Sequence, residues 1–168
     1  MRLLIVRHGD PDYANDCLTE KGKREASLLA EKLKKEKIDY FYSSPLGRAK
    51  QTCEAVAKAM GREEEIVVKE FLREFGHNFT LPSGEQKHIL WDFLPEFWTN
   101  EPMMYSNENW HQLPYFKEAK VEEHYRQVCD EFAALRFSLH SHVQEHELDK
   151  VFSLRFLFHD AYHVIFPV

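Results

Sequence analysis

Residues 3–10 read LLIVRHGD, in which four apolar residues run directly into an arginine, a histidine, a glycine and an aspartate. A short continuous apolar run is typical of a strand that is buried on both faces, as in a parallel sheet. Arg7 and His8 follow the end of this run, and ligands of α/β proteins bind beyond the carboxyl ends of the strands. The stretch therefore predicts a buried first strand that delivers Arg7 and His8 to a ligand site.

Strand and helix patterns alternate after this first strand. Apolar residues recur at helical spacing at Ala26, Leu29, Ala30 and Leu33. Strand, helix and strand patterns then follow at residues 38–42, 48–60 and 65–69, and Gly61 marks the end of the second helix. This order predicts an α/β fold, in the form of a three-layer α/β/α sandwich with a mainly parallel sheet.

Composition and charge exclude several classes of protein. With 168 residues, 43% of them hydrophobic, we expect a single domain over residues 1–168 with a substantial core. The net charge of -6 argues against nucleic acid or an anionic membrane as a partner. No apolar run approaches the roughly 20 residues that span a bilayer, and no signal-peptide cleavage site follows the first strand. Three widely spaced cysteines argue against a disulfide framework, so we expect a cytoplasmic protein.

The composition of the sequence changes at residues 77–120. This stretch holds all three tryptophans, and its apolar residues follow no clear helical or strand periodicity. We interpret this stretch as an aromatic-rich insertion or lid over the edge of the sheet, whose aromatic side chains suit core packing as well as substrate contact. Helical spacing returns at residues 121–135. His140, His142 and His146 have a spacing that suits metal ligands, but no carboxylate cluster accompanies them, so we predict no metal site.

Two segments carry the candidate chemistry. Arg7 and His8 follow the first strand, and Arg48 follows the second strand after a Ser-Ser-Pro turn. The planar fork of arginine suits phosphate, and a neutral imidazole beside it can attack phosphorus. Gly9 lets the backbone turn close to a ligand. The alternative is that these residues are ordinary loop and helix-surface side chains.

These motifs resemble those of the histidine phosphatase superfamily, the phosphoglycerate mutase-like group. The resemblance rests on LLIVRHG at residues 3–9, SSPLGRAKQT at 43–52 and LRE at 72–74, in the usual order and at roughly the usual spacing. It is strongest over residues 1–76. It is looser over residues 77–135, where WDFLPEFW resembles bacterial broad-specificity phosphatases.

The resemblance implies a role for each matching residue. His8 corresponds to the nucleophile that becomes phosphohistidine, and Arg7 and Arg48 correspond to the arginines that clamp the phosphate. Glu74 corresponds to the acid that protonates the leaving oxygen and then activates water, although a solvated carboxylate close to Glu70 is the alternative. The resemblance implies neither a metal nor another cofactor.

Two stretches depart from the family pattern. Residues 10–13 read DPDY where many members have Glu or Gln and then Thr or Ser, and Asn15 stands one place beyond the expected asparagine. The family also has a second catalytic histidine after a late apolar strand, and the nearest equivalent here is His159, followed by Asp160. His159 is therefore the candidate for the second histidine.

A second hypothesis accounts for the unusual tail. The degenerate codons of residues 151–156, read one base later, permit Phe-Ser-His-Phe-Gly, which resembles the second-histidine motif of the family. The tail from about residue 135 would then come from a shifted reading frame, and the chain would lack that histidine. The nucleotide sequence of the gene decides between the two hypotheses.

The sequence thus predicts a metal-independent phosphatase that acts on a small phosphorylated substrate. Hydrolysis is favoured over mutase transfer because the insertion supplies no visible set of basic residues for a second phosphate. Phosphoglycerate mutase-type transfer, or a catalytically impaired phosphate-binding member of the family, is the alternative. The oligomeric state, monomer or homodimer, stays open.

Overall fold

The computed structural model describes residues 3–73, 76, 78–87, 95–106, 108–140 and 164–167. The chain divides into two compact units, one formed by Met1–Glu74 with Ala161–Val168 and the other by Phe75–Asp160. The interpretation of the chain as one domain with an insertion at residues 77–120 stays a prediction.

Among the described residues, the first unit contains most of the strands and two long helices, and the second unit contains two short strands and three helices. In chain order they are β1 (Leu3–Val6), β2 (Pro11–Asp12), β3 (Cys17–Leu18), α1 (Glu20–Leu33), β4 (Phe41–Ser43), α2 (Gly47–Ala59), β5 (Ile66–Val68), β6 (Phe79–Thr80), β7 (Gln86–Lys87), α3 (Pro95–Asn100), α4 (Pro114–Glu118), α5 (Val121–His140) and β8 (Val164–Pro167). Single turns of 3-10 helix lie at Glu63–Glu65, Glu70–Leu72, Pro102–Tyr105 and Trp110–Gln112.

The first unit is built on a four-stranded mixed sheet with the order β1-β8-β4-β5. β4 and β5 pair in parallel, with Tyr42 opposite Val67. β8 pairs antiparallel with both β1 and β4, so β1, β4 and β5 run in the same direction. The α/β class is confirmed. A mainly parallel sheet is not, because the one strand that runs the other way takes part in two of the three pairings.

Helices α1 and α2 pack together over the core of this unit. Thr19 begins α1, since its hydroxyl accepts a hydrogen bond from the Gly22 N–H at 3.1 Å. α1 then buries one face of mostly small residues, at Gly22, Ala26, Ala30 and Leu33. That face shares a core with β1, β4 and α2. Among the described residues of this unit we find no second helical layer, so the three-layer sandwich is not confirmed.

The strands differ in two ways from the sequence-based expectation. β1 is not buried on both faces, because Ile5 is 41% exposed and only Val6 of its four residues is buried. The second strand begins at Phe41 rather than at residue 38. Ile38 is buried in the core but lies before the strand. The strand ends at the fully buried Ser43, which pairs with Val68 of β5.

The second unit has its own aromatic core. Phe79, Tyr115 and Phe116 form ring contacts with centroids 4.7–6.2 Å apart. Trp110 packs edge-on against Phe116 and Tyr125 and so takes part in this core. Helical spacing predicted a helix over residues 121–135, and α5 continues to His140.

The described part of the chain contains no helix that is long and apolar enough to cross a membrane. Cys17, Cys53 and Cys129 are free thiols. Burial raises the pKa of Cys53 to about 12, so this thiol is a core residue without nucleophilic character at neutral pH.

Candidate functional site

Two segments of the first unit meet at one edge of its sheet. Because β1 and β4 run in the same direction, the residues that follow them emerge at the same edge. Arg7 and His8 follow β1, and the turn after β4 leads into α2 with Arg48 in its first turn. The structure therefore brings together the three residues that the sequence assigned to the phosphate site.

Thr52 connects these two segments. Its hydroxyl accepts a hydrogen bond from the Gly9 N–H at 3.2 Å and donates one to the Arg48 carbonyl at 2.9 Å. Thr52 is fully buried and lies one turn after Arg48 on the same face of α2. The loop that carries His8 is thus held against the helix that carries Arg48.

The environment of His8 fixes its tautomer. His8 is 7% exposed, and its Nδ1 lies 2.6 Å from the carbonyl oxygen of Gly9. A carbonyl only accepts hydrogen bonds, so Nδ1 carries the proton. Nε2, which is itself buried, then carries the lone pair of the neutral ring. This nitrogen is the one that can attack an electrophile.

Burial is the main reason why the pKa of His8 lies below its ordinary value. The hydrogen bond to Gly9 acts in the opposite direction, and the charges of Arg48 and Arg7 lower the pKa further. The negative charge of Asp16 raises it by a smaller amount. The balance keeps the imidazole neutral, and therefore nucleophilic, near pH 7.

Arg48 is buried and has a specific carboxylate partner. Its Nη1 donates to Oδ1 of Asp16 at 2.6 Å. Its guanidinium carbon also lies 5.3 Å from the ring centroid of Tyr13, which is within the range of a cation–π contact. Arg7 is exposed, and it contributes its charge to the environment of His8.

Asp16 is a site residue that the sequence reasoning missed. Besides Arg48, it binds the first helical residue of α2, since its Oδ2 accepts the Gly47 N–H at 2.7 Å. Burial raises the pKa of Asp16, but the bonds from Gly47 and Arg48 outweigh it and lower the pKa overall. The neighbouring residues Asn15 and Asp16 are a signal for a turn in the sequence, but not for the partners of the carboxylate.

The residues that depart from the family pattern have structural partners. Oδ2 of Asp10 accepts the Thr19 hydroxyl at 2.6 Å, and its Oδ1 lies 3.3 Å from the Lys21 ammonium. Asp10 therefore supports the start of α1. Asn15 donates to Oδ2 of Asp12 at 2.8 Å and so closes the loop between β2 and β3.

The acid and the second histidine proposed from the sequence, Glu74 and His159, lie outside the described residues. The neighbouring Glu70 is 75% exposed and 3.9 Å from Arg73, which fits a solvated ion pair; whether Glu74 is a solvated carboxylate as well stays a prediction. No group of three or more His, Cys, Asp or Glu side chains suited to a metal ion occurs within the described ranges. His142 and His146 lie outside those ranges.

Relatives of this chain include enzymes of phosphate-ester chemistry. It is 34% identical over 83 residues to the "Probable phosphoglycerate mutase GpmB" of Photorhabdus laumondii, covering 44% of this chain and 38% of that protein. It is 30% identical over 114 residues to phosphoserine phosphatase 1 of Hydrogenobacter thermophilus, covering 61% of this chain and 52% of that protein. The chain thus spans about half, or less, of the length of these relatives.

A solved structure, mycobacterial hydrolase 1, matches 45% of this chain and 40% of its own at 31% identity and a TM-score of 0.39. The sequence profile of the histidine phosphatase superfamily (branch 1) matches residues 3–134, which include Arg7, His8 and Arg48. The profile covers most of the chain. The chain therefore belongs to the histidine phosphatase superfamily, branch 1.

Proposed function

We propose that this protein hydrolyses phosphate monoesters without a metal, through a phosphohistidine at His8. The observation that carries the proposal is the fixed tautomer of His8. The bond to the Gly9 carbonyl leaves the lone pair on Nε2, and the pKa below the ordinary value keeps the ring neutral. A buried neutral imidazole beside two arginines suits attack on a phosphoryl group.

The proposed reaction has two steps. Nε2 attacks phosphorus, the N–P bond forms, and the ester P–O bond breaks with its electron pair on the leaving oxygen. A general acid protonates that oxygen, and the family resemblance assigns this role to Glu74. Water then loses a proton to the same carboxylate and attacks phosphorus, which breaks the N–P bond, releases phosphate and restores the lone pair of His8.

The arginines supply the electrostatic stabilisation in this proposal. Arg48 holds a buried positive charge beside His8, and Arg7 adds a second charge from the exposed side. Negative charge on the transferring phosphoryl group is stabilised by fixed cations of this kind. The family resemblance adds His159 as a candidate for a further phosphate contact.

The test is turnover of p-nitrophenyl phosphate in the presence of EDTA, by the parent protein and by His8→Ala. We expect turnover by the parent alone, with a burst of acid-labile phosphoryl label on the protein. His111→Gln is the control, because it removes another partly buried imidazole, one that pairs with Glu122 at 3.2 Å in the second unit. Full activity of His8→Ala would refute the proposal.

Phosphoryl transfer of the mutase type is the second candidate, since a relative named as a probable phosphoglycerate mutase favours it. Incubation with 3-phosphoglycerate and a catalytic amount of 2,3-bisphosphoglycerate, as the donor that first phosphorylates His8, separates the two candidates. Hydrolysis releases inorganic phosphate, whereas a mutase yields the isomeric phosphoglycerate. A protein that binds phosphate without turnover would instead be the impaired member of the family.

We also propose the setting in which the protein acts. The expected partner is a small phosphorylated molecule, bound without a cofactor. Three free thiols favour a reducing compartment such as the cytoplasm.

A further inference from the structure

The carboxylate of Asp16 joins the start of α2 to the guanidinium of Arg48. One oxygen accepts the Gly47 N–H at 2.7 Å, and the other accepts the Arg48 Nη1–H at 2.6 Å. Gly47 and Arg48 are consecutive, so a single carboxylate fixes both the backbone and the side chain of this helical turn. Charge-assisted hydrogen bonds of this kind are short and strong.

We propose that Asp16 is a positioning residue, which holds Arg48 in the orientation that receives the substrate phosphate. The proposal rests on the proposed phosphatase function of the His8 site. In this proposal Asp16 acts through Arg48, to which it is bonded.

Burial explains why Arg48 needs such a partner. Its side chain is 8% exposed, whereas that of Asp16 is 44% exposed. A buried guanidinium that loses its carboxylate is left with an uncompensated charge, and it reorients toward water or other acceptors. The Tyr13 ring lies over the guanidinium from the same loop, which limits its movement further.

The local backbone shows why the carboxylate belongs at this position. Asp16 has a φ of 46°, in the left-handed region that aspartate and asparagine adopt more readily than most residues. Its carbonyl oxygen would lie 2.1 Å from a Cβ placed on Gly47. The loop and the helix therefore approach each other more closely than a side chain at residue 47 would allow.

The same carboxylate changes the electrostatics of His8. Among the described residues, the charged groups that act on His8 are Arg48 and Arg7, which lower its pKa, and Asp16, which raises it. Removing the charge of Asp16 therefore lowers the pKa of His8. The direct loss of this charge produces the shift whatever the role of Asp16, so kcat/KM and phosphate affinity, measured on the folded variant, report the orientation of Arg48.

Asp16→Asn is the test variant, because asparagine keeps the size and the tolerance of positive φ. Its amide oxygen can still accept from Gly47, but its NH2 group then faces Nη1 of Arg48, donor against donor. We expect kcat/KM for p-nitrophenyl phosphate to fall about 10- to 100-fold, as for a misplaced binding group. We also expect the acid limb of the pH profile to move to lower pH.

Glu65→Gln is the matched control. Glu65 is also a carboxylate bonded to an arginine, with its oxygens 2.5–2.7 Å from Arg62. The variant makes the same change in charge and in hydrogen bonding away from His8. We expect its kcat/KM and its pH profile to equal those of the parent.

The outcomes separate this inference from the function on which it rests. If the parent releases phosphate and Asp16→Asn matches it in kcat/KM and pH profile, the positioning role is wrong and the function stands.

If the parent shows no turnover, the proposed hydrolysis fails, and the affinity for inorganic phosphate decides the role of Asp16. Weaker binding by Asp16→Asn than by the parent supports the role, and equal binding overturns it. If Asp16→Asn does not fold, Asp16→Gly replaces it with the same expectations, since glycine also accepts the positive φ.

Discussion

At the scale of single residues, the candidate site depends on which ring nitrogen of His8 carries the proton. The carbonyl of the next residue, Gly9, holds the proton on Nδ1. A Cβ on Gly9 would lie 2.6 Å from the carbonyl oxygen of Gly22. Only glycine therefore fits residue 9 in the turn that places the Gly9 carbonyl against Nδ1 of His8. The Arg-His-Gly triplet is therefore a structural unit, in which the glycine helps to prepare the nucleophile.

The charge of Arg48 lowers the pKa of His8, and this gives a prediction with a defined sign. If the proposed mechanism holds, we expect the activity of the parent to fall as His8 becomes protonated, at a pH below the ordinary pKa of histidine. Arg48→Met removes the charge but keeps much of the buried volume, so we expect the pKa of His8 to rise. The NMR titration of the His8 ring, assigned by comparison with His8→Gln, measures the shift without any need for turnover.

Arg24→Met is the control for this measurement, because it removes an exposed arginine of α1 and should leave the His8 titration unchanged. We expect the pKa of His8 to rise in Arg48→Met and to fall in Asp16→Asn, so the two variants test the same electrostatic description in opposite directions. A fall in the pKa of His8 in Arg48→Met would contradict the electrostatic description of the site.

The sequence predicted Arg7, His8 and Arg48 because each of them lies in a contiguous motif beside a strand end. It did not predict Asp16, whose partners Gly47 and Arg48 lie more than 30 residues further along the chain. That contact depends on a left-handed turn and on the close approach of a loop to a helix. Neither property has a periodic signature in the sequence.

At the scale of elements, α2 organises the site through its first two turns. The N-cap residue of α2 is Leu46, whose side chain makes no capping hydrogen bond. The carboxylate of Asp16, from another loop, accepts the Gly47 N–H instead and so caps the helix. One turn further on, Thr52 bonds to the loop after β1. The helix therefore contributes both a charge and two anchoring points for neighbouring loops.

Thr52→Val tests the second anchoring point. The two side chains have a similar shape, but valine leaves the Gly9 N–H and the Arg48 carbonyl without this hydroxyl. We expect the free energy of unfolding to fall by about 1–3 kcal/mol, the cost of an unsatisfied buried polar group. We expect kcat/KM to fall as well, since Gly9 then no longer holds His8 in place.

Thr52→Ser is the matched control, because serine keeps the hydroxyl and removes only a methyl group. It should retain most of the activity that Thr52→Val loses. Urea denaturation and p-nitrophenyl phosphate turnover measure the two effects separately. Equal activity of Thr52→Val and the parent would show that the loop keeps its geometry without this bond.

The bounds of α2 were predicted to within one residue at each end, because its apolar and polar residues follow a clear helical period. For α1 the same period identified buried residues such as Ala26 and Leu33, but it set no start for the helix. The second strand was placed about three residues too early. Residues 38–42 read IDYFY, in which three consecutive aromatic residues show no alternation that would define a register. Ile38 is buried in the core although it lies outside the strand. The pairing of Phe41 with Ile66 sets the register, and a non-local pairing of this kind has no local signal.

At the scale of the whole first unit, β8 joins the two parts of the candidate site. β1 leads to His8 and β4 leads toward Arg48, yet these two strands are not bonded to each other. β8 lies between them, with Ile165 opposite Ile5 of β1 and also opposite Tyr42 of β4. The distance between the two strand ends is therefore set by a segment more than 110 residues along the chain from either motif. The alternation of strand and helix patterns near the start of the chain cannot predict that a strand from its end lies between β1 and β4.

Ile165→Pro tests this arrangement through the backbone alone. Proline has no N–H, and it interrupts the ladder of a central strand. We expect the variant to lose about 1–3 kcal/mol of unfolding free energy, from a strand partner left unsatisfied. We also expect a fall in kcat/KM, because the ends of β1 and β4 are then no longer held at one spacing. Ile165→Val, which keeps the N–H and the β-branched side chain, should behave as the parent in both measurements. If Ile165→Pro and Ile165→Val unfold at the same urea concentration and turn over p-nitrophenyl phosphate equally, β8 does not hold the two halves of the site together.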